Sequence, residues 1–339
     1  MLIRLARKLP LFAVLLAASS AFGSASPAIS PLLALVPAGV ESVAGVEDPH
    51  NPKGHVLLIA GFNNFDLDAW LALAGVDDRC AVDELIWAVA SSSRGELREH
   101  MLLIAGRFDR ERIFAAAQSN GAATLGYDGF PVLLVAPFAR EQGRMPDDRW
   151  MAILHNRMAI FGTPDLVRKV LDRYAAGEPA DPALLVRLSR LGPGLNSWNT
   201  MAMPSAVLAR HLISGAQADS LANLIAGAEE LTVGVHYGST ARVDFAIRFT
   251  DDGDVVRAAG RFSHPGTLRL NGQTKWRPRV KSLSVDSRLI AGSVSMPGRQ
   301  FDAYLRAQRD GPWTNSLPQT ASQAPLSNSP ARSAGNSFR

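Results

Sequence analysis

Hydrophobic positions recur along this chain in two patterns, and the contrast between them divides it. In the later part, Leu231, Val233, Val235 and Tyr237 alternate with polar or small residues. Val243, Phe245, Ile247 and Phe249 likewise alternate with Arg242, Asp244 and Arg248. A period of two predicts antiparallel strands with one face packed and the other exposed. The earlier runs Met101-Leu102-Leu103-Ile104 and Val132-Leu133-Leu134-Val135 are apolar on both faces. Both sides of those strands must be covered; helices are the expected cover, and the other half of the chain and a bound apolar ligand are the alternatives.

Around these runs the pattern predicts a series of short elements. A Pro-rich apolar stretch, Pro27–Pro37, leads into a strand at Val40–Val46. Val56–Ala60 fits strand or helix equally, and Asp66 caps a helix to Ala74 with Leu67, Trp70, Leu71 and Ala74 at helical spacing. Strands follow at Leu85–Ala90 and Met101–Ala105, then a helix over Asp109–Ala117 with acidic residues in its first turn. Thr124–Tyr127 and Pro131–Ala136 make a hairpin around Asp128-Gly129. Met151–Leu154 and Met158–Phe161 make another around His155-Asn156-Arg157. Thr163 caps a helix that starts with Pro164 and runs to about Ala176, and Gly177–Pro182 is a linker. Beyond it come a strand at Ser197–Met203, helices at Pro204–Ser214 and Asp219–Gly227, and the alternating strands.

The later part repeats the plan of the earlier one. Residues 83–116 and 229–259 each have an acidic start, a strand, a turn, a second strand ending in Arg-Phe (Arg107-Phe108, Arg248-Phe249) and an acidic helix start. Residues 150–174 and 280–304 each read as a hairpin followed by Pro at a helix's first turn. Self-similarity of this kind sets the architecture. The expected fold is α+β: two related halves of mostly antiparallel sheet with packed helices, arising by internal duplication, at 26–178 and 179–313. Phe108 and Phe249 are expected in the core.

Composition adds the termini. Arg4, Arg7 and Lys8, the apolar stretch Leu9–Phe22 and Gly23-Ser24-Ala25 have the form of a secretory signal peptide over residues 1–25. The apolar stretch is short for a membrane span. The mature protein is therefore expected to be exported, periplasmic or extracellular, with a retained N-terminal anchor as the rival reading and no later transmembrane segment. From Thr314 onward the chain is Ser, Pro, Gln, Asn and Ala without an apolar period, the composition of a disordered C-terminal tail. The net charge of +4 falls to −1 without the three basic residues of the leader and the two of the tail, Arg332 and Arg339. A nearly neutral body gives no reason to expect nucleic acid. One basic cluster remains, Lys275, Trp276, Arg277, Arg279 and Lys281, and reads as a solvated connector before an anion site. Cys80 is the only cysteine, so no disulfide forms within the chain.

Candidate chemistry is sparse. The sequence holds no GxSxG, SxxK, HExxH, Walker or GxGxxG motif and no paired-Cys metal spacing. His155 tempts as an acid–base group, but the corresponding Asp286-Ser287-Arg288 makes a turn reading preferable. Asp109, Arg110, Glu111 and Arg112 match Asp251, Asp252 and Asp254 as helix-start residues. His236 sits on the polar side of an alternating strand, and Ser91-Ser92-Ser93 is a loop. Asn63, Asn64, Asp66 and Asp68 remain: four oxygen side chains within six residues, the donor type hard cations take. The calcium-loop template fails there, with Ala69 and Gly75 at its sixth and twelfth places, so these four are weak ligand-binding candidates beside a helix-cap reading. No catalytic residue, cofactor or metal is expected.

Several phrases resemble an uncharacterised family of secreted acidobacterial proteins, a domain of unknown function. They are Leu35-Val36-Pro37-Ala38, Asn63-Asn64-Phe65-Asp66-Leu67-Asp68 with Leu73-Ala74-Gly75-Val76-Asp77, Ala105-Gly106-Arg107-Phe108-Asp109, and Phe161-Gly162-Thr163-Pro164 with Val167 and Leu171. The likeness extends over most of residues 32–310 and reaches a wider class of bacterial envelope proteins with repeated strand–helix units. It implies no activity or ligand. Together these readings favour an exported non-catalytic envelope protein that binds a partner protein or envelope component. The alternatives are a carrier of an apolar or lipid-like ligand between sheet and helices, and a hydrolase without a recognised motif.

Overall fold

A computed structural model describes residues 30–47, 82–91, 98–119, 121–135, 149–202, 227–262, 268–270, 274–276 and 279–302. Strands of the earlier part are β1 (Ser42–Glu47), β2 (Val82–Ser91), β3 (Arg98–Gly106), β4 (Ala123–Tyr127), β5 (Phe130–Val135), β6 (Arg149–Leu154) and β7 (Met158–Gly162). The later ones are β8 (Ser197–Ala202), β9 (Ala228–His236), β10 (Thr240–Phe249), β11 (Leu268–Leu270), β12 (Thr274–Trp276), β13 (Arg279–Asp286) and β14 (Leu289–Pro297). The α-helices among the described residues include α1 (Arg110–Ser119), α2 (Pro164–Ala176), α3 (Pro182–Leu188) and α4 (Asp252–Phe262), and residues 298–302 after β14 are also helical.

Twelve strands form one sheet in the order β13-β14-β10-β9-β8-β1-β2-β3-β7-β6-β5-β4, and β11 pairs with β12 separately. Every pairing is antiparallel. The fold is thus α+β, mostly antiparallel sheet with a few helices. The β1–β8 pair, where Ala44 faces Asn199 and Gly45 faces Trp198, is the centre of the ten strands from β13 to β6, and β5 and β4 extend the sheet beyond β6. The Trp198 indole lies against Gly45, in the space a Cβ would take. Glycine at position 45 therefore lets the largest side chain of the seam lie flat on the sheet.

Local chemistry accounts for the turns and helix starts. Asp128 and Gly129, both at positive φ (44° and 83°), join β4 to β5 in the left-handed conformation that two-residue hairpins need. His155 and Asn156 do the same between β6 and β7 (49° and 57°). The carbonyls of Asn156 and Arg157 accept from the Phe108 and Gly106 amides, which ties that turn to the end of β3. Asp109 caps α1, its Oδ1 accepting from the Arg112 amide at 3.1 Å. Thr163 holds the expected cap position of α2, yet its hydroxyl makes no capping bond; Gly177, at φ 63°, closes that helix.

The doubly apolar strands are covered by helices on both faces. On one side, Ile86, Met101, Leu103 and Ile160 pack under the 3-10 helix Pro31–Leu35, α2, and the segment from α3 to Leu195. On the other, Leu102, Ile104, Met151 and Ile153 pack under Phe108 and the Ile113 and Ala117 side chains of α1. Phe249 is fully buried, as is Phe301 just after β14.

Several sequence expectations need correction. β3 ends at Gly106, so Arg107-Phe108 lies beyond the strand, whereas Phe249 is the last residue of β10. The linker expected from Gly177 ends in a helix: Asp181 caps α3, its Oδ1 accepting from the Ala183 amide at 2.9 Å, with Pro182 in the first position. The polar face of β9 and β10 is only partly exposed, with Arg248 open to solvent at its end. Thr232, Asp244 and Ala246 are buried on it, because Leu191 and Leu195, on the chain between α3 and β8, lie over Gly234. The elements expected at 56–60, 66–74, 204–214 and 219–226, the leader, the tail and Cys80 lie outside the described residues.

Candidate functional site

Asn63, Asn64, Asp66 and Asp68 also lie outside the described residues. The other sequence candidates separate. His155 is exposed in its turn, its ring beside that of Tyr174 with centroids 6.0 Å apart. Asp251 accepts from the Gly253 amide at 2.6 Å at the start of α4.

His236 belongs to a cluster. It ends β9 opposite Arg242, while Asp244 lies two residues further along β10 on the same face. His236 Nε2 lies 3.0 Å from Asp244 Oδ2, and Arg242 Nη2 donates to that same oxygen at 2.9 Å. Arg242 Nη2 also contacts His236 Nε2. Burial alone would raise the Asp244 carboxyl pKa, but hydrogen bonds from His236 and Arg242 and the charges of both outweigh it and hold it below its ordinary value. Gly192 crosses directly above: a Cβ there would sit 2.9 Å from Arg242 Nη2 and 3.0 Å from Asp244 Oδ2. A side chain at that position would have to push the Arg242 guanidinium aside.

The same face carries two more polar pairs. The Thr200 and Thr232 hydroxyls share a buried hydrogen bond of 3.0 Å. Arg190 Nη1 meets Glu230 Oε2 at 2.5 Å. Arg187, buried on α3, has its pKa lowered by desolvation, with Glu230 and Asp181 opposing that shift. Among the described residues no hydroxyl or thiol is hydrogen-bonded to His236, so the cluster there has a base and an orienting carboxylate without a nucleophile. Among the described residues no group of three or more His, Cys, Asp or Glu is placed to hold a metal ion, and no helix is long and apolar enough to cross a membrane.

The accessible features are the two sheet edges. β4 is exposed over most of its length and held at both faces: Tyr127 Oη donates to Asp172 of α2 at 2.9 Å, and Gln118 of α1 donates to Thr124 Oγ1 at 2.7 Å. The bond to Asp172 also raises the Tyr127 phenol pKa. β13 is exposed at six of its eight positions. Sequence reasoning named Arg279 and Lys281 there, but only pairing order shows that they lie on an edge.

No family model and no curated protein matches the chain. Among solved structures, TP0453 in its crystal form I is similar at 11% identity with a TM-score of 0.46, over 84% of this chain and 99% of that one. A likeness that coarse carries no functional conclusion.

Proposed function

We propose that this chain is an exported, non-catalytic protein that binds a partner protein or envelope component. The observation that carries the reading is the state of the Arg242–His236–Asp244 cluster. It is the best acid–base group among the described residues, and Arg242 Nη2, His236 Nε2 and Asp244 Oδ2 are engaged with one another beneath Gly192. Atoms tied to one another in this way are not aimed at a substrate proton. Export rests on the leader-like composition of residues 1–25. A carrier of apolar ligands would draw on strands left uncovered, and β3 and β5 are roofed by the chain's own helices. The test pairs two measurements on the protein in its native envelope: cross-linking with mass spectrometry, and a hydrolase panel comparing wild type with His236→Ala. A specific cross-linked partner and no activity are expected; hydrolysis abolished by His236→Ala would overturn the reading.

We also infer that the two halves arose by duplication. Outward from the centre the orders are β1-β2-β3-β7-β6 and β8-β9-β10-β14-β13, with α1 and α4 each following the third strand. Ladder irregularities fall beside Asp83 in one half and Glu229 in the other. Ala105 faces Met158 as Arg248 faces Leu289, each at the start of the fourth strand. A two-fold rotation through the Ala44–Asn199 pair exchanges these positions. An experimental structure in which that rotation leaves the two irregularities apart would remove the inference.

A further inference from the structure

We propose that the outer edge of β13 takes up an extended acidic segment of a partner protein as an added strand. This rests on the binding reading above and names its site and the chemistry of its partner. β6 and β13 hold the same place, fifth from the centre. In the first half a hairpin between α1 and β6, β4–β5, docks on that edge through β5. In the second half the hairpin between α4 and β13, β11–β12, pairs only with itself. So the edge that is filled within the chain on one side has no strand on it, among the described residues, on the other.

The chemistry of the edge selects its occupant. Val280, Leu283 and Val285 share one face with Val294, Gly292 and Ile290, and Val285 is half exposed. Ser282 and Ser284 lie on the opposite face. A strand laid alongside would find an apolar strip for every second side chain, while its backbone used the open ladder groups. Arg279 and Lys281 are exposed and make no ion pair among the described residues; Arg288, at the turn, is paired with Asp252 at 3.6 Å, and Asp286 is the strand's own acid. Two unpaired bases against one acid favour an acidic partner.

A second copy fits less well. The β13–β14 register shifts at Lys281. Bulges and edge lysines are how sheets discourage pairing between rigid edges. A flexible segment can follow the bend; another folded β13 cannot.

The test uses the full chain and two acetylated eight-residue peptides, the length of β13, one alternating Glu with Val and one alternating Lys with Val. The acidic peptide should bind by fluorescence anisotropy and slow amide exchange along β13. Replacing Arg279 and Lys281 together (Arg279→Glu, Lys281→Glu) should weaken it at least about tenfold and admit the basic peptide. Both side chains are exposed, and near-UV circular dichroism verifies the fold of the variant. The proposal fails if neither peptide binds, if both bind alike, or if β13 amides stay unprotected on binding. It also fails if native mass spectrometry shows dimers that block the peptide. Failure here beside a specific envelope cross-link removes the edge assignment alone; hydrolase activity removes the binding reading itself.

Discussion

At Asp244, burial and pairing pull in opposite directions, and pairing prevails. A carboxyl whose folded pKa is depressed contributes stability above its unfolded value, near 3.9. That contribution is lost as pH falls through the lower folded value. Asp244→Asn should therefore flatten the acid limb of stability against pH. At neutral pH it should cost about 1–2 kcal/mol, discounted because Arg242 is partly solvated. Urea midpoints at several pH values check this, and an unchanged acid limb would show the pairing to be inert. Phe108→Ala and Phe249→Ala should each cost about 3–5 kcal/mol, the range for a large buried side chain. A near-neutral Phe249→Ala would remove it from the core. Gly45→Ala forces the Trp198 indole off its seat and should cost about 1–3 kcal/mol with a red shift in tryptophan emission. His155 was legible as a turn residue because its neighbours in sequence decide its backbone. His236 was legible only as polar and on a strand, since its roof is a segment distant in sequence.

Helix and hairpin boundaries followed the same division between local and distant causes. The Asp128-Gly129 hairpin was plain because left-handed conformations at both central residues restrict what can sit there. α3 was not legible, its start falling in the expected linker: the acidic cap and the Pro in the first helical position were present, but periodicity over so short an element gives little support. Asp181→Ala removes the Ala183 amide's acceptor and should cost about 1 kcal/mol by thermal or urea unfolding. No change would mean that the burial of Leu184 and Leu188 holds α3 without its cap. The alternation of β9 and β10 was readable; the exposure of their polar face did not follow from it. Alternation reports which residues share a face, and the chain from α3 to β8 decides whether that face meets water.

Across the molecule, the antiparallel α+β character was foreseeable from the strand patterns, but the order of strands was not, because no local signal specifies that β1 pairs with β8. The core reflects that order. Leu184, Leu188, Leu191, Leu195 and Trp198 pack in one cluster with Leu32, Val43, Ile86 and Leu171, so the two halves share apolar contacts as well as a ladder. Unfolding should therefore be a single transition, with tryptophan fluorescence and far-UV circular dichroism superposing in urea. Two resolved transitions would show that the seam yields before either half does.

That seam also gives the chain a history during synthesis. Ser42 leaves the ribosome long before its partner Met201. Until then β1 can pair with β2 on one side, but its other ladder waits with nothing to accept it. Closing it requires a contact between distant stretches, a slow step by comparison with the hairpins on either side. In the interval the strand that will become the midline of the sheet is an unguarded margin, open to any extended chain nearby. A chain cut short before Ser197 would keep that margin permanently, and such fragments should associate where the whole protein does not, as sedimentation of the two side by side will measure.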